Sequence, residues 1–393
     1  MGSGLITKTD KPLLTLLRVG RIQAPEAVAA TDILIADGRI AALGRDLAIP
    51  SGWPIEVIEA RDLIAVPAFI DQHVHVTGGG GEGGCGNRCP EISADEIAAM
   101  GIATVVGVLG TDSISRSPPD LLAKVRGLRA EGIAAYMYTG AYRVPPPTLT
   151  GDLQRDLAWI PEVIGLGELA ISDHRSSQPR QDEIERLVSE TRVGAMLAGK
   201  RGICHFHVGD GRRGLEPLRR LLAETEIPAD QVIPTHVNRH RALLEEAADY
   251  ALAFEACVDV TAFDEVGEED ISAFEAVSFL LEHGVPAERI TMSSDCNGSL
   301  PEFDAKGTYL GMRVARNTAL IGDWQRLVRE GVLPLEQALG LIGANVARVL
   351  GLQDHKGRLT VGFDADITLI DDELQPRQTF VAGKCLYHDA SPS

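Results

Sequence analysis

The chain has little with which to crosslink itself and nothing with which to cross a bilayer as a helix. Its six cysteines, Cys85, Cys89, Cys204, Cys257, Cys296 and Cys385, are scattered over 393 residues. A protein of this size needs no disulfide framework. Cys85 and Cys89 have the spacing of half a zinc knuckle. No second pair completes it, so both read as reduced thiols in a loop. No apolar run approaches the roughly 20 residues that a membrane-spanning helix needs. Residues 1–8 lack the charged start, apolar core and small-residue cleavage site of a secretory signal, and a cytoplasmic location is the expectation. Basic residues are in the minority, 37 against 56 acids, for a formal charge of −19. A field of that sign disfavours nucleic acid and anionic membranes, and neither is expected as a partner.

What is present is an ordinary globular composition, 45% hydrophobic and 24% charged. It is enough for one large barrel and a smaller satellite domain. Segments 13–19, 32–36 and 39–42 read as short strands, with Asp37-Gly38 as a hairpin turn. Segments 365–370 and 378–382 look alike at the other end. The expectation is a small β-sandwich domain built from both chain termini, 1–64 and 356–393, around a domain at 65–355. That inner stretch alternates apolar strands with amphipathic helices. Eight strand candidates lie at 65–76, 103–109, 134–142, 164–171, 202–208, 232–237, 251–261 and 290–294. Helical patterns lie at 120–130, 181–197, 215–224, 242–250 and 271–283, and a last one spans 335–350. Eight βα units in succession predict an α/β fold, a (β/α)8 TIM-type barrel with its chemistry at the C-terminal ends of the strands.

The polar residues that end these strands carry the chemistry. Strand one ends Asp71-Gln72-His73-Val74-His75. Side chains two apart on a strand point the same way, so His73 and His75 present two imidazoles to one point, as a divalent transition metal requires. Strand four carries Glu168 and runs on to Asp173. Strand five ends His205-Phe206-His207, strand six Thr235-His236-Val237-Asn238-Arg239, and strand eight Ser294-Asp295-Cys296-Asn297-Gly298-Ser299. Any one strand-end histidine is a weak signal. Five such positions in order on a barrel are a specific one. His205 shares a face with His207 but lies two residues deeper, behind it.

This set resembles the amidohydrolase superfamily. The segments Gly78-Gly79-Gly80-Gly81-Glu82-Gly83, Gly110-Thr111-Asp112-Ser113-Ile114-Ser115-Arg116, Thr139-Gly140-Ala141-Tyr142 and Ile171-Ser172-Asp173-His174-Arg175 narrow the resemblance to its isoaspartyl dipeptidases. Such enzymes cleave β-aspartyl dipeptides. The resemblance implies two zinc ions per subunit. His73 and His75 would hold the more buried ion, His207 and His236 the more exposed one, and Asp295 would ligate the buried ion. The family usually bridges its metals with a carboxylated lysine on strand four. This chain has no lysine between Lys124 and Lys200. Glu168 holds the matching place, and a carboxylate offers the same two oxygens and single charge.

The resemblance also implies a mechanism and a substrate site. A water shared by the two zinc ions would be acidified and attack the amide carbonyl. Asp295 would act as base and then acid, and Tyr142 would hold the carbonyl oxygen or the substrate amine. Glu82 would meet the substrate ammonium. Arg175 and Arg239 would each offer a planar fork to a carboxylate. Thr111 and Ser299 would donate hydroxyl hydrogen bonds, and Gly80 would bring backbone groups close. The alternatives are ion pairing of Arg175 with Asp173 and capping of a helix by Arg239. Cyclic amide or imide hydrolysis and deamination share the metal set and stand as the rival reactions. A metal-free scaffold is the rival from another class. A homo-oligomer is implied by the resemblance alone.

Overall fold

A computed structural model describes residues 14–48, 52–263, 271–303 and 308–389. Residues 1–8 and Leu13, where the first expected strand starts, lie outside them.

Six parallel strands form one sheet in chain order: Phe69–Val74, Ile102–Gly107, Ala134–Thr139, Val163–Ile171, Ile203–Val208 and Val232–Thr235. Val258–Thr261 and Ile290–Ser293 pair parallel as the seventh and eighth. All positions of the first, second, fourth and fifth strands are buried. Helices cover one face and the opposite strands fill the other, so these strands read as continuous apolar runs rather than alternations.

Side-chain and backbone hydrogen bonds complete the circle at its two joints. Asn238 donates from Nδ2 to the Thr261 carbonyl at 2.8 Å and accepts the Thr261 N–H at 3.0 Å, tying strand six to strand seven. Strand eight meets strand one where the His75 N–H donates to the Cys296 carbonyl at 2.9 Å and Asp71 accepts from Ser294. Below them, the buried Asp259 carboxylate accepts from Gln72, Thr235, Thr291 and Ser293, at 2.5 to 2.7 Å. A buried carboxylate without such donors would be strongly destabilising.

Helix starts follow local chemistry. Ser93 and Ser272 form capping boxes with Glu96 and Glu275. Ser117 caps Pro118–Glu131, whose prolines occupy the first turn, where no N–H is needed.

Three expectations are corrected. The strand expected at 251–261 is helix in its first half. Arg241–Phe254 is one helix, ended by Glu255 at φ 54°, and only Val258–Thr261 is strand. The alanine-rich run Ala247-Ala248-Asp249-Tyr250-Ala251 favours helix, and short apolar stretches are ambiguous by periodicity alone. The strand expected at 65–76 divides at Ala68, whose N–H bonds the Asp366 carbonyl. Its front part ends the long strand Ile55–Pro67 and its rear part opens the barrel. The helix expected at 335–350 is two, Leu335–Leu341 and Ala344–Leu350, broken at Ile342-Gly343. One hairpin, Ser299–Phe303 with Tyr309–Val314, had no counterpart in the sequence reading.

Both ends of the described chain build a second sheet. Its order is Lys384–His388, Pro376–Val381, Ile367–Ile370, Ile55–Pro67, Leu14–Gln23, Asp32–Ala36 and Arg39–Gly44, with Ala27–Val28 beside Leu14–Gln23. Asp37 and Gly38, both at positive φ, make the expected hairpin turn. Leu17, Ile33, Ile35, Ile367 and Phe380 pack its interior. Among the described residues, no helix is long and apolar enough to cross a membrane.

Candidate active site

The strand ends deliver their polar side chains to one place. His73 is fully buried at the end of strand one, and His75 lies just past it. Glu168 sits within strand four, pointing into the barrel, and His207 lies near the end of strand five. His236 and Asp295 follow strands six and eight with φ of 61° and 52°. Left-handed backbone at two non-glycine residues is unfavourable, and it aims both side chains inward.

Glu168 stands between two histidine pairs. Its Oε1 lies 3.4 Å from Nε2 of His73 and 3.4 Å from Nε2 of His75. Its Oε2 lies 3.2 Å from His207 Nδ1 and 3.5 Å from His236 Nε2. Asp295 Oδ1 lies 3.3 Å from His73 Nε2 and 3.0 Å from His75 Nε2. The donor atoms thus form two groups that share Glu168: His73, His75 and Glu168, and Glu168, His207 and His236.

These residues fit metal ions. Tetrahedral zinc with bonds of about 2.0–2.1 Å places neighbouring ligand atoms about 3.3 Å apart, within the range of separations seen here. Three buried atoms, His73 Nε2, Glu168 Oε1 and Asp295 Oδ1, make no hydrogen bond and face one another. Charge tells the same story. Burial opposes ionisation of Glu168 and Asp295, yet the surrounding imidazoles hold both carboxyls well below the usual range. Burial likewise opposes charge on His73 and His75. Contacts with Glu168 and Asp295 outweigh it, raising His73 well above its ordinary value and His75 to about 9. The cluster demands positive charge, which protons supply when no metal does. His236 is pushed down to about 3 by burial and stays neutral, ready as a ligand.

Behind these side chains stand further contacts. His73 Nδ1 lies 2.9 Å from His205 Nε2. His236 Nδ1 lies 2.8 Å from Thr261 Oγ1. His207 Nε2 lies 2.9 Å from Asp173 Oδ2.

A cavity of about 210 Å³ opens above the cluster. His75, Gly80, Thr111, Tyr142, Arg175, His207, Arg239, Asp295 and Ser299 line it. The Tyr142 hydroxyl lies 2.7 Å from His207 Nδ1. Burial and Glu168 push its pKa well above the ordinary value, so the phenol keeps its proton. Glu82 is buried beside the cavity, against two of its lining residues. One oxygen accepts from Arg175 at 3.2 Å and the other from Ser299 at 3.0 Å. Arg175 does pair with Asp173, through Nε at 3.0 Å and a terminal nitrogen at 2.8 Å, but inside the site rather than on the surface. Arg239 caps no helix. Its Nε donates to the Val208 carbonyl at the end of strand five, 2.8 Å away. Gly80, at φ 115°, packs against Asn87 so closely that a Cβ would lie 2.4 Å from its carbonyl oxygen.

The sequence reading missed the roles of Asp173 and Asp259. Asp173 stands in a motif already singled out, so its signal was present but its partner was not. Asp259 sits mid-strand in Val258–Thr261, where only the barrel's interior packing exposes its function.

The barrel, the converging histidines and the shared carboxylate define a hydrolase of the amidohydrolase type. The profile described as "Amidohydrolase family" matches residues 219–387. A crystal structure of beta-aspartyl dipeptidase from Fervidobacterium islandicum AW-1, in complex with beta-Asp-Leu dipeptide, superposes with a TM-score of 0.92. It is 38% identical, and the match covers 98% of this chain and 99% of that one. A dihydroorotase of Elusimicrobium minutum is 23% identical over 86% of this chain and 83% of its own length. The chain belongs to the beta-aspartyl dipeptidase family of the amidohydrolase superfamily.

Proposed function

We propose that the protein hydrolyses the isopeptide bond of β-aspartyl dipeptides with the help of two zinc ions. One observation carries the reading: a carboxylate shared between two histidine pairs opens onto a cavity lined by Arg175 and Arg239, with Glu82 buried against Arg175. A β-aspartyl dipeptide has one ammonium and two carboxylates, which that set of charges complements. The likeness to a relative solved with beta-Asp-Leu supports the same substrate class.

His73, His75, Glu168, His207, His236 and Asp295 are the residues that would hold the metals. Bound zinc would lower the pKa of a water and polarise the scissile carbonyl. The chain's own groups do the rest. Asp295, its Oδ1 free of hydrogen bonds, takes the proton of the attacking water and passes it to the leaving amine. Tyr142, kept protonated, donates to the oxygen on which negative charge develops. Glu82 receives the ammonium, while Arg175 and Arg239 receive the carboxylates. Thr111, Ser299 and the backbone at Gly80 fix the remaining polar atoms. The hydrolytic domain on this reading is 65–355, with 1–64 and 356–393 as its satellite.

The test is turnover of zinc-loaded protein on matched β- and α-linked aspartyl dipeptides, with dihydroorotate and a hydantoin alongside. Cleavage of the β-linked set alone is expected. Ring opening of the cyclic amides in preference to the dipeptides would overturn the reading.

A further inference from the structure

We propose that Asp173 is a positioning residue that fixes which nitrogen of His207 faces the exposed metal position and ties that histidine to Arg175. The inference rests on the reading that His207 is a metal ligand.

The imidazole of His207 has two neighbourhoods. Nδ1 faces Glu168 Oε2 at 3.2 Å, on the side of the shared carboxylate, and lies 2.7 Å from the Tyr142 hydroxyl, whose retained proton it can accept. Nε2 faces outward, 2.9 Å from Asp173 Oδ2. Terminal nitrogens of Arg239 and Arg175 also approach Nε2, at 3.3 and 3.4 Å. These guanidinium nitrogens only donate, so they compete with a proton on Nε2. The carboxylate is nearest and only accepts. It therefore places the hydrogen on Nε2 and leaves the Nδ1 lone pair turned towards Glu168. A neutral imidazole has one donor and one acceptor nitrogen, so fixing one end fixes the other.

Asp173 is built for this. It is buried, and its Oδ1 accepts the Arg175 backbone N–H at 2.7 Å and Nε at 3.0 Å. Its Oδ2 accepts a terminal Arg175 nitrogen at 2.8 Å as well as His207. The backbone beneath leaves no slack. The Gly209 N–H bonds the Ile171 carbonyl, the Gly211 N–H bonds the Ser172 carbonyl, and a Cβ on Gly209 would lie 2.5 Å from the Asp173 Cβ. One carboxylate thus holds both a proposed metal ligand and a proposed substrate-binding arginine. The sequence shows only that Asp173 and Arg175 are neighbours in a loop.

The experiment follows release of the two metals into a chelator, for the wild type, Asp173→Asn and Asp173→Glu, with circular dichroism and melting temperature as fold controls. An amide can present its NH2 to Nε2 and so no longer dictates the tautomer. Loss of a group that orients a ligand typically costs 10–100-fold in metal affinity. The expected result is that Asp173→Asn loses one ion 10–100-fold more readily while the other, held by His73 and His75, leaves as in the wild type. Asp173→Glu, which keeps the acceptor, is expected to restore part of the difference. Unchanged release of both ions overturns the inference, and so does equal acceleration of both, which marks general loosening. A wild type that binds no metal defeats the metal reading itself, a separate outcome seen before any variant is compared.

Discussion

Glu168→Gln tests the centre of the site at constant side-chain volume. In the wild type, Oε1 stands 3.4 Å from Nε2 of His73 and of His75, and Oε2 stands 3.2 Å from His207 and 3.5 Å from His236. Glutamine keeps one oxygen. Its other arm is an NH2, which donates and cannot ligate. Whichever way it turns, one histidine pair loses its carboxylate oxygen, and both lose the shared negative charge. Removing even an outer partner of a metal ligand costs 10–100-fold in affinity. Losing an inner ligand sets roughly 100-fold, or about 2.7 kcal/mol, as a floor. Metal per chain, counted by plasma emission after dialysis at fixed free zinc, is expected to fall from two to one or fewer. Turnover of a β-aspartyl dipeptide, measured as kcat/KM in parallel, should drop at least ~100-fold. Two ions per chain and unaltered turnover in the variant would refute the shared-carboxylate argument, because no other donor is placed to serve both pairs among the described residues.

Arg239→Met removes a guanidinium from the cavity without touching a donor atom, so KM for dipeptides should rise ~10–100-fold while zinc content stays at wild-type level; unchanged kinetics would take Arg239 out of the substrate site. Tyr142→Phe should lower kcat about 10²–10³-fold at full metal occupancy, the usual loss for one oxyanion donor, and a wild-type kcat would show that the phenol is a bystander. Gly298→Ala would set a Cβ 2.5 Å from Asp295 Oδ1 and 2.9 Å from His75 Cδ2. The displaced carboxylate should cost on the order of 10²-fold in kcat/KM, and retained activity would mean that the turn can yield. Asp259 has its pKa raised by burial, which outweighs its four donors. Its contribution to stability is therefore full below the unfolded-state value of about 3.9 and lost as pH rises through the higher folded-state value. Denaturant melts across that interval should show the stability gap between wild type and Asp259→Asn narrowing as pH rises, and a gap that widens would reverse the sign assigned to burial.

Local pattern made much of this protein readable. The helix at Gln181–Leu197 and the turn at Asp37-Gly38 follow from periodicity and backbone preference, which are properties of neighbouring residues. The alternation of strands and helices implied a barrel. His73 and His75 read as a pair because side chains two apart along a strand face one way. Errors arose where local signals conflict. The alanine-rich run before Val258 suits either element, and the antiparallel pairing of Ser299–Phe303 with Tyr309–Val314 is one that no periodicity encodes.

By itself, the chain of letters determined the candidate ligands, their order on successive strands and the formal charge of −19. It also showed that no lysine lies between Lys124 and Lys200, with Glu168 on strand four. Only the tertiary structure decided that each oxygen of Glu168 faces a different histidine pair. It alone brought Asp173 against His207 and buried Asp259 among four donors that close the barrel. The division has a physical cause. Residue type and spacing are set along one strand or helix, but hydrogen bonds between Asp173 and His207, or Gln72 and Asp259, span turns of backbone whose relative placement depends on the packing of the whole barrel.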